Sequence, residues 1–490
     1  MDFLQRILKK HGPMLSGRLV EKLAYKKDIK LEAARQRLCR TRPPIQKINL
    51  GYKNNQYFVY LQEHFNSDRY WDAMKLSLKN SSKAYYALLN SCFFHSGFAR
   101  KSQLAAYGFS PVKKLKRHLL YSSIIEELQK NDLISEFDDE TLEINYKLFK
   151  QQNNYNRFKA IEIAKTHVMQ NFHDLVRNLN FVSFGTGRCL SEQAEFGKFQ
   201  WGFTSPSYLH GLKGWRGGKV LSGFVVADIL IGRKVNKIDA EFFLQKIEIL
   251  QQQTKTRPFI PFLICDNVEE STFKRLKSRG IAIGRVSELF GTSYADALRL
   301  LIETIANATK IVSTNPDQFI ELCEKISTLD DKFKNMKGDL FEFVVGYFYS
   351  RDHIPLEIGK VIREPKFRKT KEIDVFVKGS NMLRVVECKA YKSPLDAVEV
   401  KKWLKEKIQI IRRWILSQDD YKNKNLVFEL WCTSGFEKDA LKLLNKYANS
   451  VRKYDIKYFD GSAIAKKFKK TDKKIYDLLM RYFISNKKDI

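Results

Sequence analysis

At 490 residues the chain is too long for one compact core, so two to four domains are expected. A hydrophobic content of 44 % with 13 % aromatics excludes disorder as the general state, and the absence of any apolar run of about 18 residues argues against a membrane partner. Lys and Arg outnumber Asp and Glu by 87 to 55, and the net charge of +32 calls either for an anionic partner, nucleic acid first, or for a lysine-rich solvated surface.

The seven cysteines, Cys39, Cys92, Cys189, Cys265, Cys323, Cys388 and Cys432, form no Cys-x-x-Cys pair. The eight histidines form no His-Glu-x-x-His. Zinc fingers and a disulfide framework are therefore not expected. The opening residues, Met1 to Arg6, lack the apolar core of a secretory leader, which makes the cytoplasm the expected location.

Residues 1–62 read as helix, helix, helix and hairpin. Leu4, Ile7 and Leu8 start an apolar stripe, Gly12 and Pro13 break it, and Leu19, Val20 and Leu23 start another. A third helix over 31–38 projects Arg35, Arg37 and Arg40, and 45–50 and 56–61 pair across 51–55. This order resembles a winged helix-turn-helix, which implies a last helix that enters the major groove, or a protein-binding module of the same shape. A second such unit is expected over 80–150. It has helices at 83–91 and 101–107, and a basic run with Lys113, Lys114, Lys116 and Arg117 that is either a phosphate-tracking surface or the solvated face of a helix.

From 160 to 310 the pattern turns α/β, with strands at 220–231, 259–265 and 281–286 and helices at 239–252 and 269–278. The region 330–490 repeats that order: strand 383–390, helix 395–416, strand 426–432, helix 437–447, strand 456–459. Laying Val225 to Ile229 on Val385 to Lys389 puts Ala227 and Ile229 where Glu387 and Lys389 stand. Sliding by one puts Asp228 on Glu387 and Leu230 on the lysine. A central copy that has lost its chemistry fits this, and so does a generic βαβ domain.

The charges that ask for a site lie in the last third. Lys337-Gly338-Asp339-Leu340-Phe341-Glu342 opens a helix whose apolar positions form a broad buried face next to Glu342. After the basic loop containing Lys366, Arg368 and Lys369, Ile373-Asp374 begins an alternating strand. Then comes Leu383-Arg384-Val385-Val386-Glu387-Cys388-Lys389, in which a period of two places Glu387 and Lys389 on one face of an apolar strand. The plain alternative is a set of exposed strand and helix charges joined in ion pairs. His353 follows the helix as a lone histidine and reads as structural.

Gly-x-x-x-Glu on a helix, then Ile-Asp, then Glu-Cys-Lys resembles the PD-(D/E)xK restriction-endonuclease-like superfamily, above all Mrr-like enzymes and archaeal Holliday-junction resolvases, over about 335–460. Ile373 replaces the proline of the motif, and Gln409 alone represents a glutamine of the following helix. The resemblance implies catalytic roles for Asp374, Glu387, Lys389 and Glu342. Asp374, Glu387 and the Cys388 backbone carbonyl would hold Mg²⁺, with Mn²⁺ as the alternative. The metal's waters would attack phosphorus, Lys389 would polarise or deprotonate the attacking water and steady the charge that develops, and Glu342 would hold a metal-shell water or a second metal.

The expected protein is thus multidomain α+β and α/β: winged helix-turn-helix modules at 1–62 and 80–150, a central α/β domain at 160–310, and a restriction-endonuclease-like α/β domain at 330–490. The expected function is metal-dependent hydrolysis of DNA phosphodiester bonds, with restriction or anti-phage defence as the context by analogy. The alternatives are an RNA or tRNA nuclease, and a nucleic-acid-binding subunit of a helicase or ATPase complex. The chain has no Gly-x-x-x-x-Gly-Lys-Ser/Thr, so an ATPase would be a separate partner, and homo-oligomerisation is the other expected association.

Overall fold

The computed structural model describes residues 2–216, 218–314, 316–327, 337–351, 354–366, 369–391, 393–470 and 473–484. With 48 % helix, 22 % strand and several separate sheets, the chain is mixed α+β. It divides into two compact units, the first made of Met1–Ile161 and Val168–Phe290, the second of Glu162–His167 and Gly291–Ile490.

The first unit opens with α1 (Phe3–His11), β1 (Met14–Leu15), α2 (Ser16–Lys27), α3 (Leu31–Cys39), β2 (Ile45–Tyr52) and β3 (Gln56–Leu61). The Asp2 carboxylate accepts from the Phe3 N–H at 2.6 Å and starts α1. Gly12, at φ 80°, ends it. The three strands form an antiparallel sheet in the order β1-β3-β2. Leu4, Leu8, Leu19, Leu23, Ala34, Leu38 and Val59 fill the core between helices and sheet. Because α3 buries only Ala34 and Leu38, its arginines face solvent.

Next come α4 (Asp68–Ser81), α5 (Lys83–Phe94), β4 (Phe98–Arg100), α6 (Tyr121–Lys130), β5 (Ile134–Glu136) and β6 (Thr141–Ile144), with the sheet order β4-β6-β5. One core joins Leu50 and Phe58 to Trp71, Met74, Leu88, Ile124, Ile144 and Leu148, so packing is continuous across the interval between 62 and 80. The helix expected over 101–107 shrinks to a 3₁₀ turn at Leu104–Tyr107. The basic run after Pro111 is irregular rather than a helix face: Arg117 sits at φ 66°, Leu115 packs on the hydrophobic core, and Lys113 pairs with Glu195.

The chain continues with α7 (Tyr155–Asn178), whose residues 162–167 belong to the second unit, and then, in the first, β7 (Arg188–Cys189), β8 (Glu195–Phe196), β9 (Phe199–Gln200), β10 (Phe203–Ser207), β11 (Gly214–Arg216), β12 (Lys219–Leu221), β13 (Gly223–Leu230), α8 (Glu241–Gln251), β14 (Phe259–Cys265), α9 (Glu270–Lys277), β15 (Ala282–Arg285) and α10 (Val286–Phe290). The single strand expected over 220–231 is split before Gly223. A Cβ on that glycine would stand 2.6 Å from the Leu212 carbonyl oxygen and 2.7 Å from that of Pro258, so the chain passes here only without a side chain.

The second unit runs α11 (Thr292–Ala306), α12 (Ala308–Thr314), α13 (Pro316–Ser327), α14 (Lys337–Ser350), β16 (Leu356–Arg363), β17 (Thr370–Lys378), β18 (Met382–Lys389), α15 (Ala397–Lys402), a π-helical turn (Trp403–Lys407), α16 (Ile408–Leu416), β19 (Asn425–Cys432), α17 (Lys438–Ser450), β20 (Asp455–Phe459), α18 (Gly461–Lys469) and α19 (Lys473–Tyr482). Its sheet is β16-β17-β18-β19-β20, antiparallel through β18 and parallel from β18 to β20. The central sheet, β7-β10-β13-β14-β15, has the same order and the same two antiparallel and two parallel pairings. The connecting helices correspond as well, with α8 and α9 in the places of α15–α16 and α17.

Candidate active site

β18 changes character along its length. Leu383 and Val385 point into the core with Leu426, Phe428, Leu430 and Cys432 of β19. Two residues further along the same face the strand carries Glu387 and then Lys389, at the carboxyl end of the parallel pair, where ligands gather in sheets of this kind. Asp374 comes from mid-strand β17, one step beyond the Val375–Val386 pair, and so lies across from Glu387. Its place is mid-strand, not the strand's beginning, because β17 already starts at Thr370.

Asp374 and Glu387 are 7 % and 6 % exposed, so their charges must be met inside the protein. The Cys388 N–H donates to Asp374 Oδ2 at 2.8 Å and fixes that carboxylate. Lys389 Nζ lies 2.9 Å from Glu387 Oε1. Lys407 Nζ bridges the two acids, 3.3 Å from Asp374 Oδ1 and in contact with Glu387 Oε2. Burial works against the charge of both lysines, but the carboxylates of Asp374 and Glu387 outweigh it and hold both ammonium groups above the usual lysine range. Burial also pushes the Cys388 thiol well up, and the charges of Asp374, Glu342 and Glu387 push it further. The helix that carries Glu342, α14, packs on β16, β17 and β18.

A cleft of about 210 Å³ opens over Glu387, Lys389 and Lys407. Lys371 and Lys402 add positive charge to its walls, and Glu399 and Glu406 offset part of it. Among the described residues no group of three His, Cys, Asp or Glu side chains converges tightly enough to hold a metal ion. The donor set on offer is therefore two carboxylates aimed at one cationic point, together with the nearby Cys388 carbonyl. That suits a hard cation that keeps several waters, provided the Lys407 ammonium gives way.

Lys407 is the residue that sequence reasoning missed. It sits in Lys401-Lys402-Trp403-Leu404-Lys405-Glu406-Lys407, which reads as a solvated helix face. The π-helical turn adds a residue to the helix and so rotates the downstream positions by roughly 100°, and Lys407 faces the carboxylates. Gln409 instead donates to the Tyr454 hydroxyl at 3.0 Å. On the opposite face of the sheet Glu429 is a buried carboxylate, satisfied by Arg384 at 2.9 Å, Tyr349 at 2.5 Å and Trp431 at 2.9 Å, and serves the core.

The expected nucleic-acid contacts are dispersed. Arg35, Arg37 and Arg40 are exposed on and just after α3, Lys114, Lys116 and Arg117 are exposed in the irregular segment, and Lys366 and Lys369 are exposed between β16 and β17. Lys113, also exposed, is engaged by Glu195. Arg368 and His353 lie outside the described residues.

The central sheet selects one of the two registers. Phe224, Val226, Leu230, Leu263 and Cys265 face its helix-side core, as Leu383, Val385, Leu430 and Cys432 do in the second unit. Asp228 pairs across to Leu263 as Glu387 pairs to Leu430, so Asp228 takes the place of Glu387, and Leu230 that of Lys389. Gly202, whose N–H donates to Asp228 Oδ1 at 2.7 Å, stands where Asp374 would be. Lys246 of α8 contacts Asp228 as Lys407 contacts Glu387, and its ammonium also donates to the carbonyls of Ala106 at 2.7 Å and Gln200 at 3.2 Å. Both members of this pair are fully buried, which leaves a sealed ion pair built on one carboxylate.

No family model, no curated protein and no solved structure matches this chain.

Proposed function

We propose that the second unit is a metal-dependent phosphodiesterase of the PD-(D/E)xK kind, with DNA as its substrate. The observation that carries this reading is the convergence of two buried carboxylates, Asp374 and Glu387, on one cation-sized point beside Lys389 and a basic cleft. Asp374, Glu387 and the Cys388 carbonyl would hold Mg²⁺, or Mn²⁺ in its place. When bound, such an ion polarises a phosphoryl oxygen and acidifies water. Once Lys407 gives way, Lys389 and the two carboxylates sum to one negative formal charge, so a divalent ion leaves these groups net positive toward a phosphodiester. Lys389, an ammonium in this arrangement, would donate to the oxygen on which charge develops. Glu342, on α14, would order a water of the metal shell.

Lys407 competes for the same two carboxylates. Lys407→Met is expected to tighten Mg²⁺ binding, measured by calorimetry with the metal alone. Binding that is unchanged or weaker would mean that Lys407 does not stand in the metal's place.

The three helices and three-stranded sheet of residues 2–61, with arginines on the solvent side of α3, support a winged-helix contact with duplex DNA. Changing Arg35, Arg37 and Arg40 together to Ala should weaken duplex binding at low salt without lowering the melting temperature, because exposed helix arginines contribute little stability. If the triple variant binds DNA as before, the module is an adaptor for protein. Restriction or anti-phage defence is the context proposed by analogy. Plasmid, single-stranded DNA and total RNA incubated with the protein in Mg²⁺ and in EDTA test the reading. Cutting of DNA in Mg²⁺ alone supports it, cutting of RNA alone moves it to an RNA nuclease, and no cutting leaves a binding subunit of a larger machine.

A further inference from the structure

The two sheets differ at one connection. β17 passes to β18 through residues 379–381 alone, whereas the equivalent β10 and β13 are joined by residues 208–222, which carry the β11–β12 hairpin with Trp215 opposite Val220. Long excursions on a connection that needs only a tight turn are where binding residues concentrate. The hairpin is anchored at its base, where Leu212 passes over Gly223.

Its surface has an unusual composition. From Gly197 to Ala227 the chain contains no Asp or Glu, while His210, Lys213 and Lys219 fall within the insertion. Trp215 is 69 % exposed and Tyr208 58 %. Phe184, 82 % exposed, joins the same corner of the sheet, because the neighbouring Ser183 N–H donates to the Pro206 carbonyl at 3.1 Å and the Arg177 guanidinium lies 5.1 Å from the Phe184 ring centroid. Arg188 and Arg257 are exposed in segments paired with or adjoining β10 and β13. The corner is at the opposite end of β13 from Asp228, roughly 17 Å along the strand, so it is separate from the sealed ion pair.

Asp174, paired with Arg177 at 3.0 Å, is the acid at the Phe184 side of the corner, while the insertion itself carries none. Open aromatic faces set among cations on an acid-free hairpin match an anionic polymer whose bases are unstacked. A duplex keeps its base faces covered, and an acidic protein surface would use the lysines but not three exposed rings. We propose that the β11–β12 insertion is a binding site for single-stranded nucleic acid, with Trp215 as the principal stacking platform and Lys213 and Lys219 meeting the phosphates. This assignment does not depend on the hydrolytic reading of the second unit.

The test uses the full chain and fluorescence anisotropy with labelled oligo(dT), labelled oligo(rU) and a blunt duplex of equal length. Trp215→Ala is expected to weaken both single strands by at least about fivefold, Trp215→Phe to keep most of the affinity, and the duplex to be nearly unaffected by either. Lys213→Glu with Lys219→Glu, which leaves the aromatic rings in place, should also weaken the single strands. A wild-type protein without single-strand affinity would overturn the site. So would variants with unaltered affinity and an intact melting transition, and an equal loss on duplex and single strand would overturn the single-strand assignment.

Discussion

Lys389→Ala, Asp374→Asn and Glu387→Gln should each lower metal-dependent cleavage by at least about a hundredfold, the ordinary scale for removing a proton-transfer group or a charge that stabilises a transition state. The arguments differ by residue. Lys389 is 30 % exposed at the side chain and reaches into the cleft, so its loss removes a cation from beside the reacting phosphate and little from the core. Asp374 and Glu387 are buried, and the amide replacements keep their shape while removing the charge that a metal needs. Binding of DNA to the two amide variants should hold or tighten, since a carboxylate that repels phosphate has been neutralised. Single-turnover cleavage of a labelled duplex, with binding measured alongside in Ca²⁺, separates the two effects. Undiminished cleavage by Lys389→Ala would reduce the cluster to an ion-pair network.

Asp228→Ala should do the reverse, lowering stability and sparing chemistry. It leaves the Lys246 ammonium fully buried with two carbonyls and no counter-charge, a change that typically costs about 3–5 kcal/mol. In a unit of this size that lowers the melting temperature by roughly 5–8 °C. Asp228→Leu combined with Lys246→Met removes both buried charges and should recover part of the loss, less the hydrogen bonds that the Gly202 N–H and the Ala106 and Gln200 carbonyls make to the pair. Calorimetric melting checks both variants. Cleavage per folded molecule should match the wild type in either case, because Gly202 and Leu230 stand where a second acid and a lysine would have to be. A cleavage defect larger than the folded fraction explains would mean that the central sheet takes part in the reaction.

The residues at the candidate site differ in how far the sequence alone reveals them. Glu387 and Lys389 stand out because they continue the face of Leu383 and Val385, and an apolar face has no reason to end in two charges. Asp374 follows from its alternating strand. Lys407 does not stand out, since its inward turn comes from the π-helical register and from contacts with residues far away in the chain. The sequence leaves two registers open for the central strand. The choice falls to the sliding one because Asp228 and Lys246 share the helix side of the sheet, a matter of which face packs rather than of residue similarity. The helix at Asp68–Ser81 falls largely between the two expected modules, although Tyr70, Trp71, Met74 and Leu78 mark its buried face. The lysine run at 113–117 has the composition of a helix, but Leu115 is its one apolar anchor, and Pro111 and the Glu195 pair hold it in an irregular path.

In the proposed function Asp374 and Glu387 gather a divalent cation for phosphodiester hydrolysis. Wild-type protein and Glu387→Gln, purified in parallel, should be incubated with supercoiled plasmid across a Mg²⁺ titration and in EDTA. Cutting by the wild type should rise with Mg²⁺ and vanish in EDTA, and Glu387→Gln should not cut at any metal concentration. Equal cutting in EDTA, or by the two proteins, would contradict that function.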